Sequence, residues 1–564
     1  MAKKTKKART STHWDSEARL LIWLATCVSV MSFLFYFQHG QVLLYGDAVA
    51  HMNIARRVFD SKTPGLLQLG TVWLPLPHLL MIPFLISHEM WQRGAGGSIP
   101  SMIAYVFGVV GIFRLVRGTL SSGPEPDAPA RVAAWIATLV YAANPNLIYM
   151  QTTAMGEALY LAFFVWTVVY FSESLRGEKK ALMKCGLCVA AACLTRYDGW
   201  FLAVALSAAV VLLGFLARPM PDAAEAKRRT LTKAAIVKFV LLAAFAPTLW
   251  LTYNAIVYRN PLEFENGPYS AKAIERKTQA GGNPGHPGSR NLAVASLYFL
   301  KSAEANMAEN PWLQRAWVLV AGLGIAGILL LRRHSPPEPR AFPFAATWLP
   351  LLFLLIPAPF YALSVAYGGV PIFVPAWWPF SHYNVRYGLQ LLPAFAAALA
   401  IIVCLALRSD QMNTKLRFAT ILTSIALLIA SYASAWRATP VSLKEAQVNM
   451  RSRNQLEYRV AAWLEQLPPK CTLLMYLGDH VGAVQQAGIP LRRVINEGNH
   501  RVWKQPSDAE GLWERALANP AQYADYVLAF EGDPVWQAVT DRHLHSLVEL
   551  HVMGQAPAVL YSTR

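Results

Sequence analysis

The chain has 564 residues, of which 55% are hydrophobic and only 15% charged, with a formal net charge of +18. A soluble protein of this size exposes far more charge, so the composition excludes a soluble globular enzyme and indicates an integral membrane protein. Nucleic acid is excluded as the partner of the positive charge, because Lys and Arg gather in short loops between apolar runs, where they set orientation.

Residues 1–19 form a basic N-terminus carrying Lys3, Lys4, Lys6, Lys7 and Arg9, ahead of an apolar run at 20–38. No small-residue cleavage site follows, so the run reads as a retained first span and not as a signal peptide. Further runs long enough to span, or nearly so, lie at 101–117, 132–150, 158–171, 181–195, 200–217, 236–253, 316–331, 341–365, 387–407 and 418–436. Together they predict a polytopic α-helical protein of about 11 transmembrane helices.

The loops 117–131, 176–184, 218–233, 332–340 and 408–417 are basic, with Lys227-Arg228-Arg229 the densest cluster. The positive-inside rule places them and the N-terminus in the cytoplasm. The first loop (39–100) and the long loop 254–315 then lie outside. Residues 72–87 are apolar but short and hold Pro75, Pro77 and Pro83. A crossing there would reverse every later loop, so the segment reads as an interfacial helix. Arg56 and Arg57 are expected to meet lipid headgroups. The Pro/Gly-rich stretch 281–288 reads as a mobile loop.

Residues 437–564 read as an outer domain. A helix is predicted over 451–466, and short strands over 472–477, 526–530, 547–552 and 558–563 alternate with helical stretches, an α/β pattern. Of the six cysteines, five lie in apolar runs, and Cys185-x-x-Cys188 has no second ligand pair nearby, which favours a helix face over metal.

Against this background the outer-face polar residues stand out. Asp47 follows the first span directly, where a carboxylate is either a helix cap or functional. Glu157 opens another span from the same side. It reads either as a first-turn acid stabilising the helix dipole or as a group orienting acceptor or base, with a divalent metal shared by Asp47, His51 and Glu157 as a further alternative. His51, four residues after Asp47, lies on the same helical face. Arg196, in Arg196-Tyr197-Asp198-Gly199, pairs most cheaply with Asp198. Arg386 directly precedes a span and either snorkels to the interface or holds an anion. Trp73 and His78 on the interfacial segment, and His382 and Tyr383 beside Arg386, are further candidates for lining a site. The pair Trp377-Trp378 reads as an interfacial aromatic belt.

Five stretches carry a resemblance: Gly46-Asp47 with the helix running to Asp60, residues 70–77, residues 151–159 around Glu157, residues 195–199, and residues 384–393 around Arg386 and Tyr387. In order and sidedness, over roughly residues 15–436, they resemble the GT-C class of polyprenyl-phosphate-sugar-dependent glycosyltransferases, specifically glycosyltransferase family 39 and the lipid A aminoarabinose transferase group. Those families usually carry Lys-Pro-Pro or His-Pro-Pro where this chain has Leu74-Pro75-Leu76-Pro77, so one phosphate-binding cation is supplied differently.

The resemblance implies transfer of a hexose, mannose among them, from a polyprenyl-phosphate carrier to a protein, lipid or glycan hydroxyl, with inversion. Under it Asp47 is the catalytic base and Glu157 a second catalytic acid. Arg386, Arg196, His51, His382, Tyr387, Trp73, His78 and Asp198 bind substrate, and no metal is assigned, a divalent ion near Asp47, His51 and Glu157 staying the alternative. A bacterial inner-membrane location is expected, and since none of these motifs lies beyond Trp436, the outer domain is expected to influence acceptor choice and not the chemistry. A transporter or flippase is the competing class. Its marks, internal repeats and mid-span charges, are not evident in the sequence.

Overall fold

The computed structural model describes residues 15–121, 126–178, 180–216, 231–282, 284–331, 345–500 and 509–564. The basic N-terminal residues, the Lys227–Arg229 cluster and the 332–340 loop lie outside the described residues, as do residues 341–344.

Each of the eleven expected runs is mainly helical where described. Among the described residues nine helices are long and apolar enough to cross a membrane, and three others, Leu76–Leu85, Ala128–Ala142 and Ala181–Cys193, are apolar but shorter. The run expected over 132–150 breaks at Asn144, whose side chain accepts from the amides of Asn146 and Leu147 and so starts a separate helix, Pro145–Met150. Residues 72–87 contain only the ten-residue helix Leu76–Leu85. At 1.5 Å per residue it covers about 15 Å, half of what a hydrocarbon core demands.

Large apolar side chains such as Trp23, Phe215 and Leu241 project outward. Hydrocarbon covers such a surface at low cost, and the chain is a polytopic membrane protein. The long 254–315 segment is not an open loop. It carries the helices Ala271–Ala280 and Leu292–Met307. The 281–288 stretch is tied down at His286, which bonds the Val365 carbonyl at 2.8 Å and the Glu275 carboxylate at 2.9 Å.

The helix predicted over 451–466 begins ten residues earlier, as Val441–Leu464. Beyond it lies a five-stranded sheet: β1 (Leu473–Met475), β2 (Val494–Ile495), β3 (Tyr526–Phe530), β4 (His545–Leu550) and β5 (Ala558–Ser562). The order is β2-β1-β3-β5-β4, with β1 parallel to both β2 and β3, and β5 antiparallel to both β3 and β4. Because side chains alternate along a strand, Leu473, Met475, Leu528 and Phe530 join the same apolar core as the membrane helices. Leu474, Val527 and Ala529 instead face a separate cluster with Trp513. The sheet is therefore built into the bundle, not tethered to it.

Candidate active site

The site forms where four helix starts and turns converge. The helix Gly46–Arg57 is capped by Tyr45 through its backbone. Asp47 sits inside the first turn and is not the cap, so the capping reading of this acid fails. Its carboxylate instead receives Nη2 of Arg386 at 2.8 Å. Glu157 opens the helix Glu157–Leu175 and is fully buried. One of its oxygens, Oε1, accepts from both Arg196 Nη1 and Arg386 Nε, each at 3.2 Å. A first-turn acid in that position serves two guanidinium groups while lying at the positive end of the helix dipole.

Arg196 lies in the turn before the helix Asp198–Leu216. Its Nε pairs with Asp198 Oδ2 at 3.4 Å, and Nη2 donates to the Tyr361 hydroxyl at 2.8 Å. Tyr361 in turn donates to Asp198 Oδ2 at 3.1 Å. The expected Arg196–Asp198 pair is present, and Glu157 and Tyr361 extend it. The ring of Tyr387 lies between the two cations, with its centroid 5.0 Å from the Arg196 guanidinium and 5.1 Å from that of Arg386, a distance at which cation–π attraction operates.

Arg386 belongs to the 3-10 turn Val385–Leu391. A close approach fixes that turn: a Cβ on Gly388 would come within 2.3 Å of the Ser302 backbone, so only glycine lets the turn dock there. Arg386 is buried, which excludes the snorkelling anchor. Its guanidinium is committed on every nitrogen: Nε to Glu157, Nη2 to Asp47 and Nη1 to Glu445. Glu445 Oε2 also accepts from the Arg386 backbone amide at 3.2 Å.

His51 Nδ1 meets Nε2 of His78 at 2.8 Å, and the His51 ring packs on Trp73 at 4.7 Å. Burial holds both imidazoles below their ordinary range, His51 at about 4. Among the described residues no group of three or more His, Cys, Asp or Glu is placed to hold a metal, the set Asp47, His51 and Glu157 included.

These residues border a cavity of about 1550 Å³, reached by Asp47, His51, Trp73, Glu157, Arg196 and Arg386. His78 stands behind His51 with no part in the cavity wall. His382 is a correction: it borders no part of the cavity, and its carbonyl accepts from Asn449 Nδ2 at 2.8 Å. It lies before the 3-10 turn, next to Tyr383, which pairs with Phe373 in an isolated antiparallel bridge, and there Tyr383 and Trp378 do reach the wall. Trp378 is thus more than a belt residue.

Arg56 and Arg57 do not reach headgroups either. Arg56 is buried on Asp60 at 2.8 Å and over the Trp91 ring, and Arg57 pairs with Glu497 at 3.5 Å. Burial raises the Glu497 carboxyl and Arg57 opposes the shift.

Sequence reasoning missed Glu445, Tyr361 and the Arg57–Glu497 pair. The C-terminal region, expected to stand apart from the chemistry, supplies Glu445 to Arg386 and Tyr476, Asp479 and Glu497 to the cavity wall. One signal was available. Ser442, Glu445 and Ala446 form an i, i+3, i+4 stripe on which an unaccompanied acid needs a buried cation.

No protein-family model matches the sequence, and no curated protein does. Solved structures do match. ArnT from Cupriavidus metallidurans bound to undecaprenyl phosphate aligns with 13% identity and a TM-score of 0.53, covering 97% of this chain and 98% of that one. The apo state of the same protein aligns with 12% identity and a TM-score of 0.56, covering 97% and 99%. The archaeal oligosaccharyltransferase AglB from Archaeoglobus fulgidus, in complex with an inhibitory peptide and a dolichol-phosphate, aligns with 13% identity and a TM-score of 0.42, covering 91% and 69%. The two full-length matches to ArnT establish the fold: a GT-C-like helical membrane domain followed by a C-terminal α/β domain.

Proposed function

We propose that the chain is a membrane glycosyltransferase that moves a hexose, such as mannose, from a polyprenyl-phosphate carrier to an acceptor hydroxyl. The observation that carries the reading is Asp47. It is a half-exposed carboxylate fixed by a buried arginine at the edge of a large cavity, in a chain with the fold of a protein crystallised with undecaprenyl phosphate.

The chemistry asks for three things: a base for the acceptor proton, a cation for the departing phosphate and room for both substrates. In this reading Asp47 takes the hydroxyl proton as the acceptor oxygen bonds to the anomeric carbon. The carbon–oxygen bond to phosphate breaks with its electron pair on the phosphate. A positioned base contributes typically about 10²–10⁴-fold. Direct displacement of this kind inverts the anomeric configuration. Arg386 and Arg196 are the cations within reach, and Glu157 holds the two together. Acceptor and donor enter on the outer side of a bacterial inner membrane, with the N-terminus in the cytoplasm and residues 437–564 outside. The acceptor is a protein, lipid or glycan hydroxyl.

Radiolabelled polyprenyl-phosphate sugar supplied to proteoliposomes separates the classes. Label recovered on an acceptor supports the transferase. Label that crosses the bilayer still on its carrier would support a flippase instead.

A further inference from the structure

Arg386 has four hydrogen-bonding tethers, and they are not equivalent. Glu445 grips it twice, through Nη1 and through the backbone amide, and Glu157 takes Nε. The side chains of Glu445 and Glu157 are 0% and 1% exposed, whereas that of Asp47 is 43% exposed. Removing either buried acid from the cation would strand a charge in low dielectric. Releasing Asp47 costs far less, because water can solvate it. Only one arm of the guanidinium can therefore change partner, the Nη2 arm that faces the cavity.

The surrounding charge makes such a change necessary for anion binding. Asp47, Glu157, Glu445 and Asp198 form one hydrogen-bonded chain with Arg386 and Arg196, four formal negatives against two positives. A phosphate approaching Arg386 with Asp47 still in place meets an occupied donor and a like charge.

Resting on the transferase reading, we infer that Arg386 is a shared guanidinium: its Nη2 passes from Asp47 to the donor phosphate when the polyprenyl-phosphate sugar binds, and the released Asp47 turns to the acceptor hydroxyl. Glu445 and Glu157 are positioning residues that hold the arginine still during the exchange. The base is thus paired and restrained until the donor arrives, so acceptor deprotonation is tied to donor occupancy.

The consequence is counterintuitive and measurable: the phosphate and Asp47 compete for one arm, so removing the catalytic acid should tighten donor binding. The test is equilibrium binding of a short-chain polyprenyl phosphate to the full-length protein in detergent, with inorganic phosphate as a parallel arm. Asp47→Asn should bind the lipid phosphate about fivefold more tightly than wild type, the scale of a half-exposed ion pair. In an Arg386→Gln background the same substitution should bring no gain. Because Arg386→Gln leaves two buried acids without their cation and can unfold, Arg386→Lys is the second background. A single ammonium cannot serve three acids, and the gain should shrink below twofold.

Inorganic phosphate should show the same Asp47 dependence at weaker affinity. An Asp47→Asn gain with inorganic phosphate and none with the lipid would place the lipid's phosphate elsewhere and overturn the inference. So would unchanged lipid affinity in Asp47→Asn, or a full gain in both Arg386 backgrounds, which would mark general repulsion with no shared arm. Wild-type protein that binds no lipid phosphate at all would overturn the transferase reading and this inference together. Wild-type protein that binds and transfers while Asp47→Asn gains nothing overturns the inference alone.

Discussion

Arg196 and Arg386 meet on a single oxygen: Oε1 of Glu157 lies 3.2 Å from a nitrogen of each. The two arginines are 190 positions apart in sequence (386 − 196), and that buried carboxylate and the ring of Tyr387 each contact both of them. Glu157 is consequently as much a structural requirement as a candidate catalytic group.

Glu157→Ala should therefore unfold or severely destabilise the protein, by about 3–5 kcal/mol as expected for a broken buried pair. Glu157→Gln, which keeps the shape and one acceptor oxygen, should cost less. Thermal unfolding in detergent reads both, and an alanine variant as stable as wild type would show that the shared carboxylate is not what holds the arginines together.

Glu445 should separate turnover from binding. Glu445→Gln retains the backbone amide contact and loosens the guanidinium, so kcat should fall roughly 10-fold or more, about 1.4 kcal/mol, with a much smaller change in donor KM. Glu445→Asp should recover part of the rate. Equal losses in kcat/KM through KM alone would make Glu445 a binding residue and not a positioning one.

His51 carries a pH signature. Its folded-state value is about 4 because burial disfavours the charged ring, below the ordinary value near 6.5. The unfolded chain therefore binds the proton first, and this residue's contribution is full above about pH 6.5 and declines as pH falls towards 4. His51→Gln should flatten the fall in unfolding free energy across that window, by up to about 3 kcal/mol at its acid end. An unchanged slope would mean that the acid sensitivity comes from other groups.

Deletion of residues 450–564 should not leave a working membrane core. The helix Gly46–Arg57 relies on that region: Asn53 donates to Gln485 at 2.6 Å, Asp60 meets Arg492 at 3.2 Å and Arg57 meets Glu497 at 3.5 Å. β1 and β3 also complete the bundle's apolar core. Size-exclusion chromatography should show aggregation of the truncated chain, and a monodisperse, active truncation would refute this dependence.

Much of the site was legible because membrane proteins put polar residues where spans begin. Glu157, Arg196 and Arg386 each lie next to an apolar run and Asp47 in the short segment after the first one, positions with few structural excuses. Glu445 was harder to read, with only a short small-residue stripe to mark it. Its neighbours Lys444 and Gln447 read as surface, and only the pairing with a residue 59 positions away shows the helix face to be buried. β2 has two residues, too few for any alternation. His382 misled because alternate residues of an extended segment point to opposite sides: its neighbour Tyr383, bridged to Phe373, reaches the cavity wall and His382 does not. The fold followed from hydropathy; the way the sheet shares its core with the bundle did not, since that depends on which strand face meets which helix.

The account's central claim, glycosyl transfer from a polyprenyl phosphate with Asp47 as base, is tested most directly by one comparison of initial rates. Purified wild type and Asp47→Asn would be given the same radiolabelled polyprenyl-phosphate hexose and acceptor extract at saturating donor. The account predicts transfer by wild type and a loss of at least about 10²-fold in Asp47→Asn, with the lipid phosphate still bound. Transfer by Asp47→Asn within a few-fold of wild type, or label that moves across the bilayer without leaving its carrier, would contradict it.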